Sequence, residues 1–393
     1  MGIETIARFF KKLFILKRTD IEPKNTQIVT LMKALILAGG FGTRLRPLSC
    51  TRPKTVFPIV NKPLIQWIFE RLTKNNIEEA ILAVNRLTAF CIKQQRIPKS
   101  GLEVKYSIDP PKMPLGTAGP IKKGEKLIGH SGPFLVLNGD IFADLSYTEI
   151  LNAHQRNKAV ATIALCEVED PSRYGVVELG SNCRVKRFIE KPLREKAPTN
   201  LINAGVYVLN PEVFDYIPKG KTVSMEREIF PKLVEEGNLF GYVFKGLWMD
   251  IGKPEEYLQA NKILLKKLAA TRKPISSKRF KVRNPAAIDR NVQVGESSVI
   301  GPTAILGKNV TVGKEVQIED SVILPDVKIG DFSSIKGTIV GEGVVIGNKV
   351  RVGKGCIIGD YVKVRDNVSL ADETAICPAK EVSENTLKSK IIC

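Results

Sequence analysis

A short glycine-rich stretch with two cations is the part of this sequence best suited to chemistry. Residues 37–42 hold three glycines at the end of an apolar run, and Arg44 and Lys54 follow. Glycines let backbone N–H groups approach an anion closely. The planar fork of an arginine can grip phosphate oxygens, and a lysine adds a point charge. The stretch therefore predicts a loop that binds a polyanion such as a triphosphate.

Two common phosphate-binding motifs are absent from this stretch. Leu45 stands where the dinucleotide fingerprint has its third glycine, and no Gly-Lys-Ser/Thr sequence closes the loop. The added Thr-Arg-Leu and the later Pro53-Lys54 make a different and more specific pattern.

The pattern Gly-Gly-x-Gly-Thr-Arg-Leu, then Pro, then Pro-Lys at residues 39–54 resembles the signature of the sugar-1-phosphate nucleotidyltransferases. Further blocks follow in the same order as in that family: Pro114-Leu115-Gly116-Thr117-Ala118-Gly119, Leu137-Asn138-Gly139-Asp140, Tyr174-Gly175-Val176-Val177, Phe188-Ile189-Glu190-Lys191-Pro192, Ile202-Asn203-Ala204-Gly205 and Trp248-Met249-Asp250-Ile251-Gly252. The sequences of these blocks are most similar to those of mannose-1-phosphate guanylyltransferases with a C-terminal left-handed β-helix. The resemblance implies a Rossmann-like α/β catalytic domain that joins a nucleoside triphosphate to a sugar 1-phosphate.

The resemblance also implies roles for individual residues. Arg44 and Lys54 would stabilise negative charge on the phosphates, and Asp140 and Asp250 would hold Mg²⁺ as well as act in catalysis. Carboxylates suit this hard cation, which one or two acids usually hold together with water and phosphate. The implied substrate-binding residues are Leu37, Ala38, Gly39, Gly40, Gly42, Thr43, Gly116, Gly175, Glu190, Lys191 and Asn203.

Among these, Lys191 corresponds to the lysine that grips the sugar phosphate, and Glu190 to the carboxylate that accepts sugar hydroxyls. No general base is expected, because the attacking phosphate oxygen is already ionised near neutral pH. The only two histidines, His130 and His154, lie outside every motif. Neither lies in the C-terminal repeats, which disfavours an additional acetyl-transfer activity.

The C-terminal part has an aliphatic residue every six positions, with two intervals of five. Such hexads resemble those of left-handed parallel β-helices, in which three hexads make one coil and each aliphatic side chain points inward. Fifteen positions predict about five coils that serve as a scaffold and an assembly surface. The predicted inward residues are Ile288, Val294, Ile300, Leu306, Val312, Ile318, Leu324, Ile329, Ile335, Val340, Ile346, Val352, Ile358, Val364 and Leu370.

These patterns divide the chain into an N-terminal extension at 1–31, a catalytic domain at 32–270, a linker at 271–285, a left-handed β-helix at 286–372 and a C-terminal tail at 373–393. Apolar runs in the catalytic domain predict strands at Lys33 to Ala38, Ala80 to Val84, Val104 to Ile108, Phe134 to Leu137, Ala161 to Val168, Val206 to Leu209 and Gly241 to Phe244. Helical patterns cover Leu64 to Leu72, Ser146 to Asn157, Met225 to Glu235 and Pro254 to Leu268.

Composition sets broader limits. The formal net charge of +19 indicates anionic partners, and phosphorylated substrates suffice because no aromatic-basic motif for nucleic acid occurs. Seven scattered cysteines without a Cys-x-x-Cys pair predict reduced thiols in the cytoplasm. No apolar run is long enough for stable membrane insertion. We expect a homo-oligomer that associates through the β-helix.

The choice of nucleotide and sugar stays open at this point. The blocks favour GTP with mannose 1-phosphate, and no glutamine lies between Lys99 and Lys126 to recognise a pyrimidine. However, Met113 occupies the place where guanylyl enzymes often carry an acid. The alternatives are thymidylyl or uridylyl transfer to glucose 1-phosphate, and a catalytically silent regulatory subunit. The last alternative is disfavoured because the chain retains Arg44, Lys54, Asp140, Lys191 and Asp250.

Overall fold

The computed structural model describes residues 32–40, 42–99, 101–110, 114–271, 274–275 and 277–393. The predicted N-terminal extension, residues 1–31, lies outside the described residues. No helix in the described part of the chain is both long and apolar enough to cross a bilayer.

A nine-stranded mixed sheet forms the centre of the catalytic domain. Its order is β10-β9-β11-β6-β1-β4-β5, and β8 joins β11 to β12. Strands β6, β1, β4 and β5 run parallel, so their carboxyl ends meet at one edge, where open α/β sheets bind ligands. The strands are Ala34–Leu37 (β1), Pro58–Ile59 (β2), Lys62–Pro63 (β3), Glu79–Val84 (β4), Glu103–Ile108 (β5), Phe134–Asn138 (β6), Ile141–Ala143 (β7), Ala161–Glu167 (β8), Gly175–Leu179 (β9), Val185–Glu190 (β10), Leu201–Leu209 (β11), Leu239–Val243 (β12) and Trp248–Asp250 (β13).

Helices cover both faces of this sheet, because the central strands are apolar on each side. They are Leu64–Lys74 (α1), Arg86–Gln94 (α2), Gly119–Ile128 (α3), Tyr147–Asn157 (α4), Val213–Tyr216 (α5), Phe230–Glu235 (α6) and Pro254–Ala269 (α7). A π-helical turn, Met225–Ile229, leads directly into α6. The Rossmann-like fold and the four predicted helices are confirmed, whereas α2, α3 and α5 were not predicted.

Three parallel sheets of very short strands make up the C-terminal domain, as a β-helix requires. Paired strands lie 17 or 18 residues apart in all but the final pair, as in Ile305↔Val322 and Val294↔Val312, so three hexads complete one coil. The final pair, Ala375↔Ile391, is 16 residues apart. The first sheet holds Lys281–Val282 (β14), Val299–Ile300 (β17), Gln317–Glu319 (β20), Ser334–Lys336 (β23), Arg351–Val352 (β26) and Ser369–Leu370 (β29).

The second sheet holds Ala286–Ile288 (β15), Ala304–Leu306 (β18), Val322–Ile323 (β21), Ile339–Val340 (β24), Ile357–Ile358 (β27), Ala375–Ile376 (β30) and Ile391–Ile392 (β32). The third holds Gln293–Val294 (β16), Thr311–Val312 (β19), Lys328–Ile329 (β22), Val345–Ile346 (β25), Lys363–Val364 (β28) and Glu381–Val382 (β31). The stacking is consistent with the predicted left-handed parallel β-helix.

The hexad pattern predicts the interior of the β-helix at fourteen of its fifteen positions, and position 324 was wrong. Ile323 is the inward residue there, because it stands in register with Leu306 and Val340. Leu324 instead packs in the core of the catalytic domain. The first interval of five thus falls between Ile318 and Ile323.

The coils extend beyond both predicted boundaries. Strand β14 lies in the segment predicted as a linker, and it pairs with β17. Strands β30, β31 and β32 lie in the segment predicted as a tail, and each pairs with an earlier coil or with its neighbour. The six-residue spacing continues after Leu370 at Ile376 and Val382, and both lie in the β-helix core.

One cysteine pair departs from the prediction of reduced thiols. Cys377 and Cys393 form a disulfide, with 4.8 Å between their Cα atoms. Strands β30 and β32 pair in parallel with Ile376 opposite Ile392, so the residue that follows each strand lies beside its counterpart. The remaining five cysteines are free in the described part of the chain.

The two domains share a hydrophobic core. Outward-facing side chains of the second β-helix sheet pack in the same buried cluster as the catalytic sheet. They are Ile305, Val322, Leu324 and Ile339, each at most 2% exposed. The face of the β-helix that carries them is therefore held against the catalytic domain by apolar burial.

Candidate active site

The glycine-rich loop leaves β1 and turns at Gly42. Gly42 has φ of 62°, which favours glycine, and its carbonyl accepts a hydrogen bond from Ser49 Oγ at 2.7 Å. A methyl group added at Gly42 would lie 2.8 Å from Lys54 Cγ. The glycine is therefore needed both for the turn and for the passage of the lysine side chain.

Lys54 reaches from this loop to the end of the central sheet. Its side chain is 9% exposed, and Nζ lies 3.3 Å from Asp140 Oδ2. Asp140 follows β6, in the turn that leads to β7. The predicted pair of catalytic residues, one from each motif, is thus in direct contact.

Asp140 and Asp250 also lie close together, although the sequence separates them widely. Strand β13 pairs with β7 so that Asp250 stands opposite Ile141, and Ile251 N donates to Asp140 O at 3.3 Å. Burial raises the pKa of Asp250 to about 6, the charge of Asp140 adds to the increase, and Lys54 and Arg44 partly oppose it. Two carboxylates at this short range repel one another unless a cation lies between them.

The donor set suits Mg²⁺. Both Asp140 and Asp250 offer carboxylate oxygens, which this cation prefers, and substrate phosphates usually supply further ligands. Among the described residues, no group of three or more His, Cys, Asp or Glu side chains could hold a metal ion.

A cleft of about 770 Å³ opens beside this cluster at the carboxyl edge of the sheet. Eight of the predicted site residues line it: Leu37, Ala38, Gly39, Gly40, Gly42, Lys54, Gly116 and Asp140. Gly116 has φ of +71°, and a methyl group there would lie 2.3 Å from Val223 O. The cleft is large enough for a nucleotide, since ligand pockets span about 300–1,000 Å³.

The predicted sugar-binding residues lie together on β9, β10 and β11, outside the lining of the cleft. Gly175 stands opposite Glu190 across β9 and β10, and Lys191 Nζ lies 3.2 Å from Glu190 Oε1. Asn203 donates from Nδ2 to Tyr207 Oη at 3.1 Å. The side chain of Lys191 is 57% exposed, so it is free to meet an anion from solvent.

Thr43 and Arg44, two further predicted residues of the loop, lie outside the cleft. They form a short 3₁₀ turn and are exposed. Burial raises the pKa of both Asp250 and Tyr174, and the charge of Arg44 partly opposes the increase in each. Arg44 therefore adds positive charge in the neighbourhood of the carboxylate cluster.

Twelve further residues line the cleft without having been predicted as site residues, among them Asn85, Asp109 and Asn138. Asp109 follows β5, and a methyl group on Gly39 would lie 2.9 Å from its Oδ2. Its Oδ1 is buried and has no hydrogen-bond partner among the described residues. Burial raises the pKa of Asp109, while Lys123 opposes the increase. An acid directly after a parallel strand is the signal that could have identified it.

Comparison with known families fits this geometry. A family model described as nucleotidyl transferase matches residues 33–267, which is more than half of the chain. The chain belongs to this family. A second model, described as the GMPPB C-terminal domain, matches residues 282–392 and so covers the β-helix.

Curated relatives of this nucleotidyl transferase are mannose-1-phosphate guanylyltransferases. The mannose-1-phosphate guanyltransferase of Aspergillus oryzae is 39% identical over 316 residues, which cover 79% of this chain and 86% of that protein. The mannose-1-phosphate guanylyltransferase catalytic subunit beta of Danio rerio is 42% identical over 229 residues, or 58% of this chain and 63% of that protein.

Solved structures match the catalytic domain. HddC from Yersinia pseudotuberculosis is 30% identical with a TM-score of 0.52, covering 59% of this chain and 99% of HddC. A second HddC structure, complexed with GMP-PN, has a TM-score of 0.51. A UDP-glucose pyrophosphorylase complexed with UDP-glucose is 27% identical with a TM-score of 0.53, covering 60% of this chain and 99% of that protein.

Proposed function

We propose that this nucleotidyl transferase converts GTP and mannose 1-phosphate into GDP-mannose and pyrophosphate. The convergence of the glycine-rich loop, Lys54, Asp140 and Asp250 at one sheet edge carries the proposal. The names of the relatives from Aspergillus oryzae and Danio rerio support the choice of substrates.

The reaction brings two polyanions together, so the site must neutralise charge and align the attack on the α-phosphorus. Lys54 and Arg44 supply positive charge on the nucleotide side, and Lys191 would hold the sugar phosphate. Glu190 would accept hydroxyls of the sugar. No residue needs to remove a proton, because the attacking phosphate oxygen is already an anion.

Asp140 and Asp250 would hold Mg²⁺ in this proposal. When bound, the cation neutralises phosphate charge and offsets the repulsion between the two carboxylates. The all-oxygen donor pair and the raised pKa of Asp250 support this assignment.

Asp109 supports guanine as the base. A carboxylate only accepts hydrogen bonds, and guanine presents adjacent donors at N1 and N2. Adenine has no donor at N1, and uracil and thymine have a single ring donor. Lys123 Nζ lies 3.9 Å from Asp109 Oδ1, but this oxygen has no hydrogen-bond partner among the described residues, so the side chain has acceptor capacity that a guanine would satisfy. An acid from the end of β5 would thus replace the one that is absent at Met113.

The proposal includes a cytoplasmic location and self-association through the β-helix. Exposed apolar side chains on the third sheet and at its corners support an interface: Phe332, Val345 and Tyr361 are 50%, 39% and 56% exposed. Cell fractionation tests the location. Light scattering tests self-association, and a monomer at micromolar concentration would contradict it.

The experiment that tests the proposed reaction measures pyrophosphate release with Mg²⁺ in a matrix of substrates. GTP, ATP, UTP, dTTP and CTP are each combined with mannose, glucose, galactose and N-acetylglucosamine 1-phosphate. We expect GTP with mannose 1-phosphate to give the highest kcat/KM. Another preferred pair would keep the reaction class and overturn the substrates. A folded protein that is silent with every pair would favour a regulatory subunit.

A further inference from the structure

A buried cluster of charges joins Thr51 and Arg52, which follow the glycine-rich loop, to the β-helix. Arg52 Nη2 lies 2.6 Å from Asp360 Oδ2, and Arg52 Nη1 lies 2.9 Å from Glu342 Oε2. Thr51 Oγ1 donates to the same Asp360 oxygen. The side chains of Arg52 and Asp360 are only 12% and 1% exposed. Charges removed from water to this extent interact strongly, so the cluster fixes the relative position of its members.

The planar guanidinium of Arg52 suits this bridge, because it can donate to two carboxylates at once. Burial lowers the pKa of Arg52, but the charges of Asp360 and Glu342 outweigh that effect and raise it overall. Arg52 therefore stays charged, and losing either carboxylate would leave a buried cation with one partner fewer.

Asp360 differs from the other aspartates at β-helix corners. Asp366 and Asp372 each use Oδ1 to accept the backbone N–H of the preceding coil, from Asn348 and Lys354, at 2.8 Å. Asp360 makes the same bond, from Glu342 N at 2.7 Å. In addition, its Oδ2 contacts the catalytic domain, whereas Asp366 and Asp372 are exposed. The coil needs only one oxygen of Asp360, so the second is available to bind Arg52.

Arg52 lies two residues before Lys54, and the connection between them is stiff. Pro53 restricts the backbone, and a 3₁₀ turn, Lys54–Val56, begins directly after it. The buried Lys54 side chain then runs past Gly42 to Asp140. A displacement of Arg52 would therefore move the backbone from which Lys54 reaches the carboxylates.

We infer that Asp360 and Glu342 are positioning residues for the reaction: by holding Arg52, they fix Lys54 at the phosphate-binding end of the cleft. The β-helix is then part of the machinery that shapes the site, in addition to its predicted role as a scaffold. This inference rests on the proposed function through the phosphate contacts of Lys54.

The variant Asp360→Asn tests whether Asp360 positions Lys54 through Arg52. An amide keeps one acceptor oxygen and replaces the other with a donor nitrogen, so the new side chain cannot offer separate oxygens to Glu342 N and to Arg52. We expect kcat/KM with GTP and mannose 1-phosphate to fall by about 10- to 100-fold, since small displacements of catalytic groups have effects of that size. Circular dichroism and gel filtration confirm that the variant is folded.

Two matched controls separate positioning from general damage. Asp372→Asn changes the same corner position, without a contact to the catalytic domain. Lys262→Met removes a different ion pair between the domains, in which Lys262 Nζ lies 3.4 Å from Asp320 Oδ1. Both should keep kcat/KM within about twofold of the wild type, as distant surface changes do.

Glu342→Gln provides a second variant, because Glu342 is 31% exposed and its loss disturbs the coil less. We expect a smaller decrease of about three- to tenfold, because Asp360 still holds Arg52, and this variant decides the question if Asp360→Asn does not fold. If Glu342→Gln, and Asp360→Asn where it folds, match Asp372→Asn in kcat/KM, the inference is wrong.

The link to Lys54 is tested in a Lys54→Met background. If Asp360 acts through Lys54, Asp360→Asn should lower the residual rate by less than about threefold, because coupled residues are non-additive. An effect as large as in the wild type would overturn the inference.

Should the wild type release no pyrophosphate, the proposed function fails. The same variants are then compared by calorimetric GTP affinity, where unchanged binding in Asp360→Asn and Glu342→Gln overturns the inference as well.

Discussion

Aspartates lie at or next to the ends of short strands in both domains, yet they meet different partners. In the catalytic domain, Asp140 directly precedes β7 and Asp250 ends the paired strand β13, so the two lie close together. In the β-helix, Asp366 and Asp372 each meet a backbone N–H of the preceding coil. The first arrangement leaves excess negative charge at a cleft, and the second satisfies a carboxylate within a turn.

The comparison shows that the partner of an aspartate, rather than its place after a strand, indicates what it can do. A carboxylate that accepts a backbone N–H already has a structural role. A buried carboxylate beside another carboxylate is held in an unfavourable charged state: burial, and then the charge of Asp140, raise the pKa of Asp250. Such a state is typical of a site that binds a cation.

The largest effect is expected from Asp140→Asn. Removing one of the two metal-binding carboxylates should lower kcat/KM by about 10³-fold, the scale of losing a main electrostatic contact in catalysis. Pyrophosphate release measured over a series of Mg²⁺ concentrations checks this. The melting temperature should hardly change, since relieving the repulsion between carboxylates offsets the lost ion pair. Turnover equal to the wild type would contradict the metal assignment.

Truncating a side chain in the β-helix interior should lower stability and leave turnover unchanged. Ile346→Ala removes a side chain that is 2% exposed in the β-helix core, so the free energy of unfolding should fall by about 3 kcal/mol. Denaturant titration measures the loss, and kcat/KM of the folded variant should stay near the wild-type value. Lys363→Ala, on the exposed side of the neighbouring strand, is the control and should change stability by less than about 0.5 kcal/mol. Equal losses in both variants would argue against the inward register.

Asp109→Asn should change which base the cleft accepts. An asparagine can donate to O2 of xanthine while it accepts from N1–H, so XTP should gain relative to GTP. We expect the ratio of kcat/KM for GTP to that for XTP to fall by about 30-fold, the value of one good bidentate contact to a base. Both values of kcat/KM are measured with the same enzyme preparation, so a misfolded fraction lowers both equally and leaves their ratio unchanged. A ratio unchanged from the wild type would show that Asp109 does not contact the base.

The smallest effect is expected from Asp366→Ala. It removes the hydrogen bond from Asn348 N, which should lower the free energy of unfolding by about 1 kcal/mol and leave turnover unchanged. Thermal unfolding and pyrophosphate release check both. A marked loss of turnover would mean that the corners of the β-helix influence the site more broadly than through Asp360.

Much of the fold could be predicted because burial of one face of an element imposes a regular spacing of apolar residues on the sequence. The six-residue rhythm identifies the β-helix, but Ile323 and Leu324 are both aliphatic, and spacing alone cannot tell which of them faces inward. Strands β9 and β10 escaped prediction because they carry charged side chains such as Lys186 and Arg187 on an exposed face. Patterns of hydrophobicity detect buried strands far better than partly exposed ones.

Site residues could be predicted from the sequence where they belong to a recognisable motif. The proximity of Asp140 and Asp250 depends on the pairing of β7 with β13, for which the intervening sequence gives no signal. Asp360 was missed because its corner resembles those at Asp366 and Asp372. Only the stacking of coils, and the packing of one face on the catalytic domain, brings this aspartate to Arg52.

The shared hydrophobic core has a consequence for how such a chain can change over generations. Ile305, Val322, Leu324 and Ile339 lie on the β-helix but fill space in the catalytic domain. A bulkier or smaller residue at one of these positions needs a compensating change across the domain boundary. The two domains therefore have to evolve as partners, and a β-helix exchanged from a distant relative would bring a surface that does not match its new host.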